Sequence, residues 1–397
     1  MSEINSVSLN SIQSNQQEQC YERAPDIFHF INLLLTGKFL EMKRYVMALW
    51  IFLFGLIIFV VVWCFILAQD KALPLTLVGM EEKTVPEIPT NHRFGISAVQ
   101  ADKYDISSTG AGWYINWTYK PAEKAKLEFM PLIAGYTRDK NVSDKYMEEL
   151  KNYILNNPQY YPDDTIFMVG NEIGYAAQHD MRTPEQYAED FHRCYELLKS
   201  INPNYKLAVG AAILSMNQKY VLKYYVEGKG GIHYLKRVRE SYVAKYGQEM
   251  PVDYYTVTCH IFENKGVDLE TFKEHIIRFR KFLADEGERE KPLIITEYGC
   301  VLKGPDAQEI VNYMKETFDF LNTARDDKIG CTTDGNRLVQ RWCWFTMHGL
   351  KFSEKLKVLG PAAFLIKMNQ TSLVNPDGLM NCLGKTYQNY IYSTQEN

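Results

Sequence analysis

Eight short apolar runs, separated by longer polar or amphipathic stretches, occupy residues 93–397 and restrict the fold more than any other feature. They lie at 94–99, 112–117, 127–133, 166–171, 207–213, 254–262, 293–297 and 340–347. Near-continuous apolar runs of this length are what strands show when both faces of a parallel sheet are covered. Between them, 143–156, 184–201, 269–286 and 306–323 have helical periodicity. The 184–201 segment carries its own start signal: Thr183 as N-cap, Pro184 at the first helical position and Gln186 at capping-box spacing. Strand–helix alternation implies an α/β fold with a parallel sheet. Eight strands favour closure into a (β/α)8 TIM barrel over an open sheet. The first two connections read weakly as helices, so the count carries an uncertainty of one strand.

The chain upstream of the barrel has a different character. Residues 1–44 form a short N-terminal segment whose first part is rich in Ser, Asn and Gln and reads as disordered. Residues 45–68 then run without a charge, longer than the roughly 20 residues a spanning helix needs. Lys38, Lys43 and Arg44 precede this run, against Asp70 and Lys71 after it. The positive-inside rule therefore predicts a single-pass transmembrane helix with residues 93–397 outside the cytoplasm. A rival reading starts at Met42, makes the run a signal peptide cleaved near Ala68, and gives a secreted protein. Residues 69–92, with Pro74, Pro86 and Pro89, read as an extended linker.

Charge and cysteine usage exclude several classes. The net charge of -4 and the lack of a basic run give no reason to expect nucleic acid as a partner. None of the 8 cysteines is spaced as CxxC, and no histidine has a ligand partner at metal spacing, so neither metal nor cofactor is expected. No phosphate loop, dinucleotide glycine fingerprint or Gly-x-Ser-x-Gly elbow is present. The expected partners are an oligo- or polysaccharide and, through residues 45–68, a membrane; the protein reads as a monomer.

The sugar expectation comes from two glutamates. Ile166-Phe167-Met168-Val169-Gly170-Asn171-Glu172 and Leu293-Ile294-Ile295-Thr296-Glu297-Tyr298-Gly299 are apolar runs that each end in a carboxylate. A carboxylate in such a setting costs free energy unless it is compensated. On the eight-strand count Glu172 ends strand 4 and Glu297 strand 7, at the C-terminal face where barrel active sites lie. Alternation places Met168, Gly170 and Glu172 on one face, and Leu293, Ile295 and Glu297 on one face. A barrel roughly 15 Å across separates strands three steps apart by roughly 14 Å. Two inward side chains then leave about 6 Å between carboxyls, nearer the ~5–5.5 Å of retaining glycosidases than the ~6.5–9.5 Å of inverting ones.

Gly170-Asn171-Glu172 and Thr296-Glu297-Tyr298-Gly299 resemble the strand-4 and strand-7 signatures of clan A retaining glycoside hydrolases. Gly112-Trp113-Tyr114-Ile115-Asn116-Trp117, followed by Phe129-Met130-Pro131, resembles the glucanase-like alkali-sensitive-linkage-protein branch of that clan. The resemblance implies Glu172 as general acid/base, Glu297 as nucleophile and Asn171 as the ligand of the sugar 2-hydroxyl. A transglycosylase using the same intermediate, and a carbohydrate-binding barrel without turnover, are the alternatives.

Further candidates surround the pair. His260 ends its strand and either contacts a sugar hydroxyl, bonds the nucleophile, or holds a loop carbonyl. Trp342 and Trp344 share a face of the last strand, and Trp344, nearer its end, is the candidate platform under a sugar. Trp117 is a similar candidate, and Asn116 points either into the site or at a neighbour. Tyr298, beside Glu297, completes the expected substrate-binding set.

Overall fold

In the computed structural model the last strand lies beside the first, and every ladder in between is parallel. The residues described are 91–98, 101–135, 140–176, 180–214, 229–349 and 368–394. They belong to one compact unit that begins at Pro86. The expected disordered segment, the transmembrane run 45–68 and most of the 69–92 linker lie outside the described residues. The linker's last two residues belong instead to the first strand, which starts at Asn91. Among the described residues no helix is long and apolar enough to cross a membrane.

Among the described residues ten strand segments occur in chain order: β1 (Asn91–Ser97), β2 (Ala111–Ile115), β3 (Glu128–Phe129), β4 (Leu132–Ile133), β5 (Ile166–Val169), β6 (Lys206–Val209), β7 (Ala212–Ile213), β8 (Tyr255–Thr258), β9 (Leu293–Tyr298) and β10 (Arg341–Phe345). They form one ladder in the order β3-β2-β1-β10-β9-β8-β7 and a second, β4-β5-β6. The two join through chain continuity, because β3–β4 and β6–β7 are each one strand with a break. Pro131, which has no N–H, interrupts the first. Gly210 interrupts the second, where a Cβ would stand 2.4 Å from the Val169 carbonyl oxygen. The result is a ring of eight strands, at the positions expected from the apolar runs.

The helices are α1 (Asp144–Asn156), α2 (Pro184–Ile201), α3 (Gly231–Tyr246), α4 (Leu269–Asp285), α5 (Ala307–Thr323) and α6 (Cys382–Ser393). The capping box of α2 forms as expected, with the Thr183 side chain accepting from the Gln186 N–H and the Gln186 side chain reaching back. The first connection holds only a 3-10 turn (Ser107–Thr109), and the second has no helix.

Two hydrophobic layers follow from the alternation of the strands. The barrel interior holds Trp113, Ile115, Met130, Leu132, Ile166, Met168, Ala208, Ile294 and Cys343. The layer between strands and helices is larger and takes Phe94, Trp342, Trp344, Tyr298 and Phe318 among many others. Leu293 and Ile295 sit in this outer layer while Ile294 faces inward. The expected shared face of Leu293, Ile295 and Glu297 is therefore wrong. In β9, Ile295 lies opposite Trp342 and Tyr298 opposite Trp344, so three steps on β9 match two on β10. On the other side Ile295 and Glu297 match the adjacent Val257 and Thr258. One extra residue, Thr296, bulges the strand and re-aims Glu297 into the barrel.

Candidate active site

Glu172 sits in the turn after β5. Its backbone is left-handed (φ 46), as are Gly170 (φ 88) and Gly174 (φ 70). A left-handed non-glycine residue costs about 1–2 kcal/mol, so surrounding contacts must hold it. The Gly170 N–H donates to the Ile133 carbonyl at 2.7 Å and the Ile173 N–H to the Ala211 carbonyl at 3.1 Å, tying the turn to both neighbouring strands. Beneath it the fully buried Arg182 bonds Asp180 (Nη2–Oδ2 2.6 Å) and Asp190 (Nη1–Oδ2 3.0 Å) and donates to the Ala134 carbonyl at 3.2 Å. A Cβ on Gly170 would stand 2.9 Å from Arg182 Nη2. Alternation along this strand thus ends at Val169, and the turn, rather than the pleat, orients Glu172.

Glu172 and Glu297 are each only 7% exposed. Burial, and then the nearby Glu297 charge, push the Glu172 carboxyl well above the usual carboxylate range. Glu172 accepts no hydrogen bond from the described residues, so nothing offsets those two effects. Glu297 has different surroundings. The Trp117 indole Nε1–H donates to its Oε1 at 2.7 Å, and His260 Nε2 stands 3.8 Å from its Oε2. His260 Nδ1 lies 3.3 Å from the Gly299 carbonyl, the loop carbonyl expected as its alternative partner. Because a carbonyl only accepts, Nδ1 carries a proton there.

The other expected site residues divide. Asn171, 5% exposed, lies beside Glu172, and its Oδ1 is buried without a partner. Trp117 and His260 both touch the carboxylate. Trp344 does not reach the site: it is fully buried, donates from Nε1 to the Thr371 carbonyl at 2.9 Å and packs edge-on against Tyr298. Tyr298 likewise faces the helices, against Phe272 and Phe318. Its outward turn follows from the bulge at Thr296. Asn116 uses its amide within its own loop, donating to the Lys120 carbonyl at 2.9 Å and accepting from the Thr118 N–H at 3.3 Å.

Two residues were missed. Phe345, 2% exposed, packs edge-on against both Trp117 (5.8 Å) and His260 (5.2 Å), occupying the place expected for Trp344. The signal was the alternation of Arg341, Cys343 and Phe345, outweighed by the larger rings of the tryptophans. Thr258 lies opposite Glu297 on the neighbouring strand, and its buried hydroxyl has no partner. Among the described residues no three His, Cys, Asp or Glu side chains form a metal-binding group. The six cysteines of the barrel, five of them buried, are unpaired.

One carboxyl pushed toward its protonated form and another held by an N–H donor can together supply an acid and a nucleophile or base. Comparisons with known proteins give the family and the fold. The family model described as glycosyl hydrolase catalytic core matches residues 94–387. A GH128 subgroup II endo-β-1,3-glucanase from Sorangium cellulosum superimposes with TM-score 0.51 at 16% identity, over 75% of this chain and 97% of that one. A GH128 subgroup III curdlan-specific exo-β-1,3-glucanase from Blastomyces gilchristii, in complex with glucose, gives TM-score 0.50 at 14% identity over 75% and 97%. At such identities the likeness is one of fold. No curated protein sequence matches the chain.

Proposed function

Because the chain belongs to the glycosyl hydrolase catalytic core family, we propose that it cleaves a β-linked glycan by double displacement, with Glu172 as acid/base and Glu297 as nucleophile. The observation that carries this reading is the contrast between the two carboxyls. Glu172 is driven toward its protonated form by burial and by the Glu297 charge, while Glu297 has a donor on Oε1.

In the first step Glu297 attacks the anomeric carbon as Glu172 gives its proton to the leaving oxygen. The glycosyl-enzyme removes the Glu297 charge, which eases ionisation of Glu172. Glu172 then takes a proton from water, the water attacks the anomeric carbon, and Glu297 departs. Asn171, with its unpaired Oδ1, is the candidate acceptor for a sugar hydroxyl beside the reacting carbon. The two fold relatives act on β-1,3-glucans, and this supports a β-1,3-linked glucan as substrate. The uncharged run 45–68 supports a membrane-anchored enzyme facing away from the cytoplasm; release of the barrel from washed membranes without detergent would contradict that placement.

Incubating the protein with curdlan, soluble β-1,3-gluco-oligosaccharides and β-1,4-linked controls tests the activity. New reducing ends from the β-1,3 series, absent with Glu172→Gln or Glu297→Gln, are expected. Binding without cleavage would make the barrel a carbohydrate-binding module. NMR of the first product should show the β-anomer; the α-anomer would contradict double displacement.

A further inference from the structure

Trp117 stands at the mouth of the barrel among the residues that a sugar would meet, yet its polar atom is already engaged. Its Nε1–H points at Glu297 Oε1 from 2.7 Å. Among the described residues it is the one hydrogen-bond donor within reach of that carboxylate, since His260 Nε2 is 3.8 Å away, beyond hydrogen-bond distance. The backbone at Trp117 is left-handed (φ 59), a conformation that residues with a Cβ rarely adopt. The loop around it is built to hold that shape: Asn116 braces both sides of the turn, and the Thr118 carbonyl accepts the Leu132 N–H at 3.1 Å. Phe345 packs edge-on against the indole. A ring held this firmly and aimed at one oxygen is poorly suited to adapt to a ligand.

We propose that Trp117 is a positioning residue, whose indole N–H fixes the orientation of the Glu297 carboxylate, rather than a sugar-stacking platform. The proposal rests on the reading of Glu297 as nucleophile. A bond to Oε1 leaves Oε2 as the oxygen free to attack, and it places that oxygen on the His260 side. Without the donor the carboxylate is free to turn away from the anomeric carbon, so the attacking step slows.

The test compares W117F and E297Q in the full chain, with a 4-nitrophenyl β-1,3-gluco-oligosaccharide as probe. W117F should lower kcat by about 10–100-fold, the range for a hydrogen bond to a charged group. KM should stay within about threefold, because the ring is not the platform that binds the sugar. A W117F enzyme with wild-type kcat, or one whose loss is all in KM, beside an inactive E297Q, overturns the positioning role and leaves the nucleophile standing. An active E297Q overturns both. A second readout needs neither turnover nor a folded W117F: with 15N-labelled chains, one of the 6 tryptophan indole N–H signals should move between the wild type and E297Q. No indole signal responding to E297Q would also overturn the proposal.

Discussion

The Trp117 indole N–H reaches the Glu297 carboxylate at 2.7 Å across 180 residues of sequence. Only closure of the barrel brings these residues together, because β2 and β9 are three strands apart through β1 and β10. Glu172 approaches from the other side, three barrel strands away in the opposite direction. Glu297 is therefore flanked by a hydrogen-bond donor on one side and a second carboxyl on the other. That asymmetry is the basis of the expectations below.

Glu172 should carry a stability cost that its function requires. Its carboxyl is raised far above the value it has in the unfolded chain, by burial and then by Glu297. For such a group the unfolded state loses its proton first, so the folded state loses stability as pH rises from about 4.3 toward the folded value. Glu172→Gln removes that cost while abolishing turnover. A melting temperature higher by about 1–3 °C at pH 7 is expected, with the gain vanishing near pH 4. An unchanged or lower melting temperature at pH 7 would contradict it.

The buried Arg182–Asp180–Asp190 group should be far more sensitive. All three side chains are fully buried. Arg182→Met leaves Asp180 without its cation, and Asp190 with only Arg193 at 3.8 Å, beneath the turn that carries Glu172. Urea unfolding should show a loss of about 3–5 kcal/mol. Combining it with Asp180→Asn and Asp190→Asn should restore part of that, since no buried charge then stands alone. A loss below about 1 kcal/mol in the single variant would refute the role of the group as the support of this turn.

Acid should weaken the helical layer through His275 on α4. Burial, and then the Arg278 charge, push its imidazole down to about 4. The unfolded chain protonates at about 6.5, so stability is complete above that value and falls as pH drops from 6.5 to 4. The full difference corresponds to about 3 kcal/mol. His275→Gln should flatten the stability curve over that window, as measured by urea titration at half-unit pH steps. A parallel curve for the two proteins would exclude His275 as the source.

The strands were legible because burial on both faces writes them as apolar runs, and the α2 cap because Thr183 and Gln186 encode it locally. What stayed hidden depends on neighbours. The bulge at Thr296 exists only in register with β8 and β10, and it decides that Glu297 faces inward and Tyr298 outward. Trp342 and Trp344 fill the roomier layer under the helices, and Phe345 takes the inner position. Helix α3 has no side-chain N-cap and begins in a glycine-rich stretch that reads as loop. Helix α6 contains Gly384, whose Cβ would lie 2.2 Å from the Leu373 carbonyl oxygen, so packing rather than propensity selects it. The left-handed turns at Glu172 and Trp117 fall where local preference is overridden, as expected at a site.

The central claim, that Glu297 forms a bond to the sugar, is tested most directly by covalent trapping. The full chain is incubated with a 2,4-dinitrophenyl 2-deoxy-2-fluoro-β-gluco-oligosaccharide, digested and analysed by mass spectrometry. The fluorine slows both steps and the good leaving group restores the first, so the glycosyl-enzyme should accumulate. The expected result is one sugar added to the peptide carrying Glu297, and none in E297Q. A label on any other residue, or no label on an enzyme that hydrolyses the β-1,3-gluco-oligosaccharides, would contradict it.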